Sequence, residues 1–518
     1  MVGTRVPEVR TLTGVATTAA VVVTLIANRS GPRITEDSAN YLAMAAGWVR
    51  DGSFTGVGGD ALTIFPPGYP VLVAIGTAVI GDRWMQALPA VCAALTVLCT
   101  GAVLRRHVSS RWWFAVGLGA VAMSPALHLV WGSAWSEGPF LAGLAVFLVA
   151  VDRLWALPAR SEGPGAGDPP TASPLRWAGA AVIAVWMVTS LRYVGIVTVP
   201  VLGATVALRS RRWSRRDAIE GGLLAAAALL VPVAIALRNI REDGTAFGPR
   251  VPASTALVDL VGGGIDTVLR WLVPGAAAAG GVIALVLVGS IVTDRSSRAA
   301  LRRTVVELAP VIATGVACVA VIAVSAGVAS IDGLDDRLLS PVVVPLVLVV
   351  ASWLAKVDAA AAAPWSRPVR FAAVAWVALA AIACLNGAFR PQSSLSTSVR
   401  GTAPVVAAAA RLPEGAAVAS NAPELLWTWT ELRSVRPMPS SSPIGWVPAD
   451  PDATGFLRWV RCGGGSATVV WFDLPWRDAS IRPEDLQFDL RVESTTELDG
   501  GRIYEVSAVG GAEDCPGG

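Results

Sequence analysis

Adjacent carboxylates at Glu36 and Asp37 lie in a polar stretch, 28–70, that follows the first apolar segment. The stretch closes on a proline-aromatic cluster, Phe65-Pro66-Pro67-Gly68-Tyr69-Pro70. A carboxylate placed this way can act as a general base on a hydroxyl. It can equally cap a helix, and Asp37 directly precedes a segment in which Tyr41, Leu42, Ala45, Trp48 and Val49 recur at the spacing of an interfacial helix. Both readings of Asp37 are open at this level, and Glu36 is the second candidate base.

Further ionisable residues recur where apolar segments begin or end. Glu137, in Trp135-Ser136-Glu137-Gly138-Pro139-Phe140, is either favourable charge at a helix N-terminus or part of a site. Arg192, in Ser190-Leu191-Arg192-Tyr193-Val194-Gly195, reads as an interface anchor or a functional cation. Arg337 has Asp335 and Asp336 as neighbouring partners, and Arg238 has Glu242 and Asp243. Guanidinium groups bind phosphate bidentately, so arginines at membrane depth suit a lipid-linked phosphate. Ionisable groups at that depth are costly and suspect as functional. Tyr69, Trp84, Trp131, Trp135 and Tyr193 form an aromatic belt or, less commonly, a sugar platform. Gly262-Gly263-Gly264 lacks the Lys-Ser/Thr of a phosphate loop and reads as a flexible outer loop.

The elements that must position these residues are membrane helices. Of 518 residues, 54% are apolar and only 15% charged, against roughly 25% charged in soluble chains. A net charge of +3 gives no reason to expect a nucleic-acid partner. The first apolar run, 12–27, reads as an uncleaved helix with a cytoplasmic N-terminus, which sets the loop 28–83 outside. The run 68–80 is short for a span of roughly 20 residues and reads as a surface helix. Spans follow at about 84–104, 112–130, 138–154, 177–191, 194–208, 218–237, 273–293, 305–328, 338–354 and 370–388, giving about eleven with the first. Arginine-rich loops then fall consistently on the cytoplasmic side. Beyond about residue 390 short helix-like stretches (398–411, 452–461) alternate with strand-like runs such as 467–472, which predicts a small external α/β domain. The domains are therefore 1–390 and 391–518. Cys462 and Cys515 are a candidate disulfide in that external domain, whereas Cys92, Cys99, Cys318 and Cys384 sit in apolar runs. His107 and His128 each stand alone in the sequence, which excludes a histidine-rich metal site.

Taken in order, D-S-x-x-Y-L at 37–42, F-P-P-G-Y-P at 65–70, S-E-x-x-F at 136–140, L-R-Y-x-G at 191–195, R-N-x-x-x-x-G at 238–244 and R-L-L-x-P at 337–341 resemble the C-type (GT-C) glycosyltransferases. The nearest branch looks like the bacterial relatives of protein O-mannosyltransferases and aminoarabinose transferases, family 39-like. The resemblance implies a polytopic α-helical membrane protein of the bacterial cytoplasmic membrane with an extracytoplasmic C-terminal domain. It implies inverting transfer of a sugar from a polyprenyl phosphate to an extracytoplasmic acceptor, with membrane lipids around the site. Asp37, or Glu36, would be the base. Glu137, the second catalytic acidic residue, would organise acceptor, phosphate or metal, and Tyr41, Tyr69, Arg192, Tyr193, Arg238 and Arg337 would bind substrate or phosphate. No cofactor is implied; without an Asp-x-Asp motif a divalent cation is optional. The lysine that some relatives place near the phosphate has no counterpart. The competing classes are a non-catalytic protein of the same fold that binds glycan or peptide, and a transporter of lipid-linked sugars. A transporter would place its charges at mid-membrane and often carry repeats.

Overall fold

The computed structural model describes residues 6–156, 174–209, 214–253, 256–272, 289, 294–329, 333–360, 366–390, 403–413, 415–430, 432, 434–442, 449–474, 479–486, 489–509 and 515. Apolar runs fold into helices, as backbone groups in lipid must be satisfied within the segment. They are α1 (Val6–Ala27), α2 (Glu36–Asp51), α3 (Gly68–Ile80), α4 (Trp84–His107), α5 (Arg111–Ala122), α6 (Pro125–Trp131), α7 (Glu137–Trp155) and α8 (Pro174–Leu191). A short 3-10 turn, Tyr193–Val197, leads to α9 (Thr198–Leu208), α10 (Arg215–Ala228), α11 (Leu230–Asp243) and α12 (Leu257–Leu272). The helical part closes with α13 (Arg295–Glu307), α14 (Ala309–Val328), α15 (Asp336–Ala360) and α16 (Ser366–Phe389).

Among the described residues seven helices are long and apolar enough to cross a membrane, or eight if α5 and α6, bent by 42°, count as one span. The chain is a multi-pass membrane protein. The expected spans at 177–191 and 194–208 are present as shorter apolar helices, and the one at 273–293 lies outside the described residues apart from position 289. Gly262-Gly263-Gly264 is not a flexible loop. It lies inside α12, where Gly264 faces Leu334 so closely that a Cβ would stand 3.1 Å from its side chain.

α7 lies at the centre of the bundle, packed on α4 and α8 and buried along almost its whole length. Its far end carries Asp152, 2% exposed, which pairs with Arg106 at 2.6 Å and with His107 at 2.7 Å. His107 also approaches Glu307 at 3.5 Å, and Glu307 pairs with Lys356 at 3.0 Å. The network ties α4, α7, α13 and α15 together.

The C-terminal region is a five-stranded sheet with small helices. Strands β1 (Val418–Ser420), β2 (Arg436–Pro437), β3 (Ser466–Phe472), β4 (Leu490–Leu498) and β5 (Gly501–Ala508) lie in the order β2-β1-β3-β5-β4. β1 runs parallel to β2 and β3, while β5 is antiparallel to β3 and β4. The unbroken apolar run of β3 has a simple cause: both faces are covered. Val470 and Phe472 pack with Val405, Leu425 and Leu426, and Ala467, Val469 and Trp471 pack with Phe456 and Tyr504, as strand alternation requires. Cys462, ending the helix Thr454–Cys462, is disulfide-bonded to Cys515.

This sheet is seated on the first loop. Ala39, Ala43 and Val57 complete the core formed by Val405, Leu425 and Val470. The Val435 N–H donates to the Val57 carbonyl at 2.9 Å, and Arg436 pairs with Asp60 at 2.8 Å. Tyr41 and Ala45 of the same helix pack into the membrane core instead. α2 is therefore held on two faces, not laid on a surface by one.

Candidate active site

The start of α2 decides what Asp37 can do. Thr35, extended at φ −118° and ψ 177°, is the N-cap, and its hydroxyl accepts from the Ser38 N–H at 3.4 Å. Glu36 and Asp37 fall in the first turn. The capping reading of Asp37 is thus corrected by two residues, and its carboxylate is free for another partner. Thr35 also accepts from the Trp135 indole at 2.7 Å. Two backbone bonds, Arg33 N–H to Gly132 O at 2.8 Å and Ala134 N–H to Arg33 O at 2.9 Å, strap this segment to the loop ahead of α7. Ser136 and Glu137 are thereby brought beside α2.

Arg337, near the start of α15, joins the two acidic residues. Its Nη2 donates to Asp37 Oδ2 and its Nε to Glu137 Oε1. Arg192 pairs with the same Glu137 oxygen. Glu137 is 1% exposed, whereas Asp37, Arg192 and Arg337 each keep about a fifth of their side chains open. The expected pairing of Arg337 with Asp335 and Asp336 does not occur. Asp335 accepts from the Leu338 N–H at 3.0 Å, capping α15, and Asp336 accepts from the Trp271 indole at 2.6 Å. A buried carboxylate with two arginines is compensated, and stays paired if one of them turns away.

Aromatic side chains wall the cluster. The Arg337 guanidinium lies 4.4 Å from the centroid of the Trp135 ring. Tyr41 meets Ser136 at 3.0 Å, and Ser136 donates to Glu137 Oε2 at 3.3 Å. Phe65 and Tyr69 pack on Tyr41 with centroids 4.6 and 5.0 Å away. Burial, with the charges of Glu137 and Asp37 adding to it, pushes the Tyr41 phenol well above its ordinary value. It remains a neutral hydrogen-bonding group and not a base. Gly68 lets α3 approach α8, as a Cβ there would lie 2.5 Å from the Ser190 carbonyl oxygen.

Tyr193 and Arg238 belong to an adjoining brace. The Tyr193 hydroxyl donates to the Thr63 carbonyl at 2.6 Å and accepts from Asn239 Nδ2 at 2.7 Å. Asn239 is buried and also donates to the Ala246 carbonyl at 2.9 Å. Thr63 in turn donates to Asp243. Arg238 is not ion-paired to Glu242 or Asp243; it donates to Asn239 Oδ1 at 3.1 Å and lies 5.1 Å from the Phe54 centroid. The brace fixes residues 54–64 against the Tyr193–Val197 turn and α11. Sequence reasoning missed Arg33 and Thr35. A Thr-x-x-Ser spacing around residue 35 was available as a capping signal, whereas Arg33 had no pattern to mark it. Among the described residues no cluster of three His, Cys, Asp or Glu side chains could hold a metal.

Compared by sequence, the chain matches no protein-family model and no curated protein. Compared by structure, it is similar to ArnT from Cupriavidus metallidurans in the apo state, with a TM-score of 0.59 and 13% identity, covering 95% of this chain and 97% of that one. It is similar to the same protein bound to undecaprenyl phosphate, with a TM-score of 0.57, 13% identity and the same coverage. The oligosaccharyltransferase of Archaeoglobus fulgidus in its apo form is a looser match, with a TM-score of 0.48 and 11% identity over 82% of this chain and 64% of that one. This chain has the GT-C fold. In it the GT-C bundle gathers Asp37, Glu137, Arg192 and Arg337 at one end, and the C-terminal sheet is seated on the first loop.

Proposed function

We propose that the chain is a membrane glycosyltransferase that moves a sugar from a polyprenyl phosphate to an acceptor hydroxyl outside the cytoplasmic membrane. The observation that carries this is the bridge made by Arg337 between Asp37 and Glu137, residues 300 and 200 positions away in sequence. An acidic group, a second acidic group and two arginines beside a neutral tyrosine are what such a reaction needs. The likeness in fold to a protein solved with undecaprenyl phosphate supports the same class of donor.

In this reading Asp37 takes the acceptor's proton as its oxygen attacks the anomeric carbon. The bond between that carbon and the phosphate oxygen breaks on the opposite face, so configuration inverts. Polyprenyl phosphate leaves with the electron pair, and Arg337 and Arg192 stabilise the charge it gains. Arg337 must turn from Asp37 to the incoming phosphate. Glu137 then keeps Arg192, whereas Asp37 loses the only ion-pair partner it has among the described residues. Arrival of the donor therefore frees the base. Tyr41 and Tyr69 shape the wall that receives the sugar, and Tyr193 and Arg238 hold the loop that closes it. The N-terminus is cytoplasmic, the site and residues 391–518 face outward, and residues 1–390 form the catalytic domain.

The test is Asp37→Asn, with the folded protein quantified in membranes and transfer to the native acceptor measured. A loss of about 10²–10⁴-fold is expected of a missing general base. Transfer at the wild-type rate would remove Asp37 from that role. The native acceptor is found by mass spectrometry of envelope glycans and glycoproteins from a deletion strain. A non-catalytic glycan-binding protein would instead tolerate joint loss of Asp37 and Glu137 in a complementation assay.

A further inference from the structure

Arg33 lies outside every motif that marks the site, yet its backbone is fixed on both sides by the bonds to Gly132 and Ala134. Its guanidinium stands 5.8 Å from the centroid of the Trp135 ring, the same ring that carries Arg337 at 4.4 Å. Its Nε is buried without a hydrogen-bond partner. Among the described residues no carboxylate lies within ion-pair distance of it. Burial, and after it the charge of Arg337, lowers its proton affinity, but a guanidinium stays charged in proteins. A cation–π anchor on Trp135 would account for Arg33 if it stood there alone. It does not account for two like charges around one indole, a repulsion that a bound anion would relieve.

We propose that Arg33 is a further donor-site residue that meets the charge developing on the leaving phosphate; this rests on the polyprenyl-phosphate reading above. Four arginines, Arg33, Arg192, Arg250 and Arg337, lie around two carboxylates, Asp37 and Glu137, an excess of positive charge that a bound anion would meet. Arg250 donates to the Ile64 and Phe247 carbonyls at 3.0 and 3.1 Å, and Arg192 and Arg337 are ion-paired, whereas the buried Nε of Arg33 has no partner. When Asp37 takes the acceptor's proton the cluster gains one positive charge, while the product, a phosphomonoester, carries about one more negative charge at neutral pH.

The experiment measures binding of polyprenyl monophosphate, and of the polyprenol of the same chain length, to the full purified chain in nanodiscs. Wild type, Arg33→Ala and Arg33→Lys are compared. Arg33→Ala is expected to weaken the monophosphate by about ten-fold, the worth of a charge-assisted hydrogen bond, and to leave the alcohol unchanged. Arg33→Lys recovers part of the loss. Unchanged monophosphate binding, or equal weakening of both ligands as a lost Trp135 stack would give, overturns the proposal. Wild type that does not prefer the monophosphate over the alcohol overturns the donor reading itself, and Arg33's role with it. Should Arg33→Ala not fold, Arg33→Gln keeps the stem over Trp135 and gives the same comparison.

Discussion

The helical bundle carries a buried charge network at each end, and the same two helices contribute to both. α7 bears Glu137 at its start and Asp152 fifteen residues later, about 22 Å along the axis at the helical rise. α15 bears Arg337 at its start and Lys356 nineteen residues on, about 28 Å away. Both networks bury a carboxylate almost completely. At the Asp152 end, however, every ion-pair partner belongs to a helix of the bundle: Arg106, His107, Glu307 and Lys356. At the Glu137 end one carboxylate comes from the loop helix α2, and the arginines exceed the carboxylates. Burial and pairing alone therefore do not mark a reaction centre. What sets the proposed centre apart is a carboxylate carried by a helix of the first loop.

That contrast breaks first at Arg337. Arg337→Ala strips the shared partner from Asp37 and Glu137 and should lower transfer per folded molecule by about 10³-fold, the scale of a lost electrostatic donor. Lys356→Ala at the other end should leave transfer within about two-fold of wild type, since Lys356 touches no part of the site. Equal losses in a membrane transfer assay would show that the two ends do not differ. The next effect is on stability, where the ends should behave alike. Removing Arg192 leaves Glu137 with Arg337, and removing Arg106 leaves Asp152 with His107, so each should cost about 1–3 kcal/mol, the worth of a charge-assisted hydrogen bond, read as reduced thermal midpoint and yield in detergent.

Much of this architecture was legible from residue order. Apolar runs, arginine-rich loops, the short 68–80 helix and the apolar run of β3 each have a local cause that sequence displays. The site was legible as a set of residues and illegible as a set of bonds. Asp37 and Thr35 are both good cap residues two positions apart, and only the path of the chain chooses Thr35. Arg337 has acidic neighbours at 335 and 336, but the start of α15 turns them to a backbone N–H and to Trp271. His107 stands alone in sequence and has two carboxylates in space. Gly262–Gly264 looked like a loop because helix propensity disfavours glycine, yet the triplet lies inside α12, where Gly264 packs closely on Leu334.

A smaller effect sharpens the comparison further. Asp37→Asn should bind polyprenyl monophosphate about ten-fold more tightly than wild type, as Arg337 no longer has to leave a carboxylate. Asp60→Asn, which alters charge in the same loop but pairs with Arg436, should leave that affinity unchanged. Equal affinities in wild type and Asp37→Asn would show that the arginine is not shared. The smallest change is expected from Arg436→Ala: an ion pair whose Asp60 is 78% exposed contributes less than about 1 kcal/mol, a shift in thermal midpoint near the limit of measurement.

One consequence of α2 concerns its phase. Ala39 and Ala43 face the C-terminal sheet, Tyr41 and Ala45 face the membrane helices, and Asp37 reaches Arg337. Each residue turns a helix by about 100°, so adding or deleting a single residue between Asp37 and Ala43 would rotate one set of contacts away while the other held. No shift along the axis restores both. The register of this helix is thus pinned independently at two interfaces, and the direction in which Asp37 points is settled as much by alanines on the far side as by the arginine it meets.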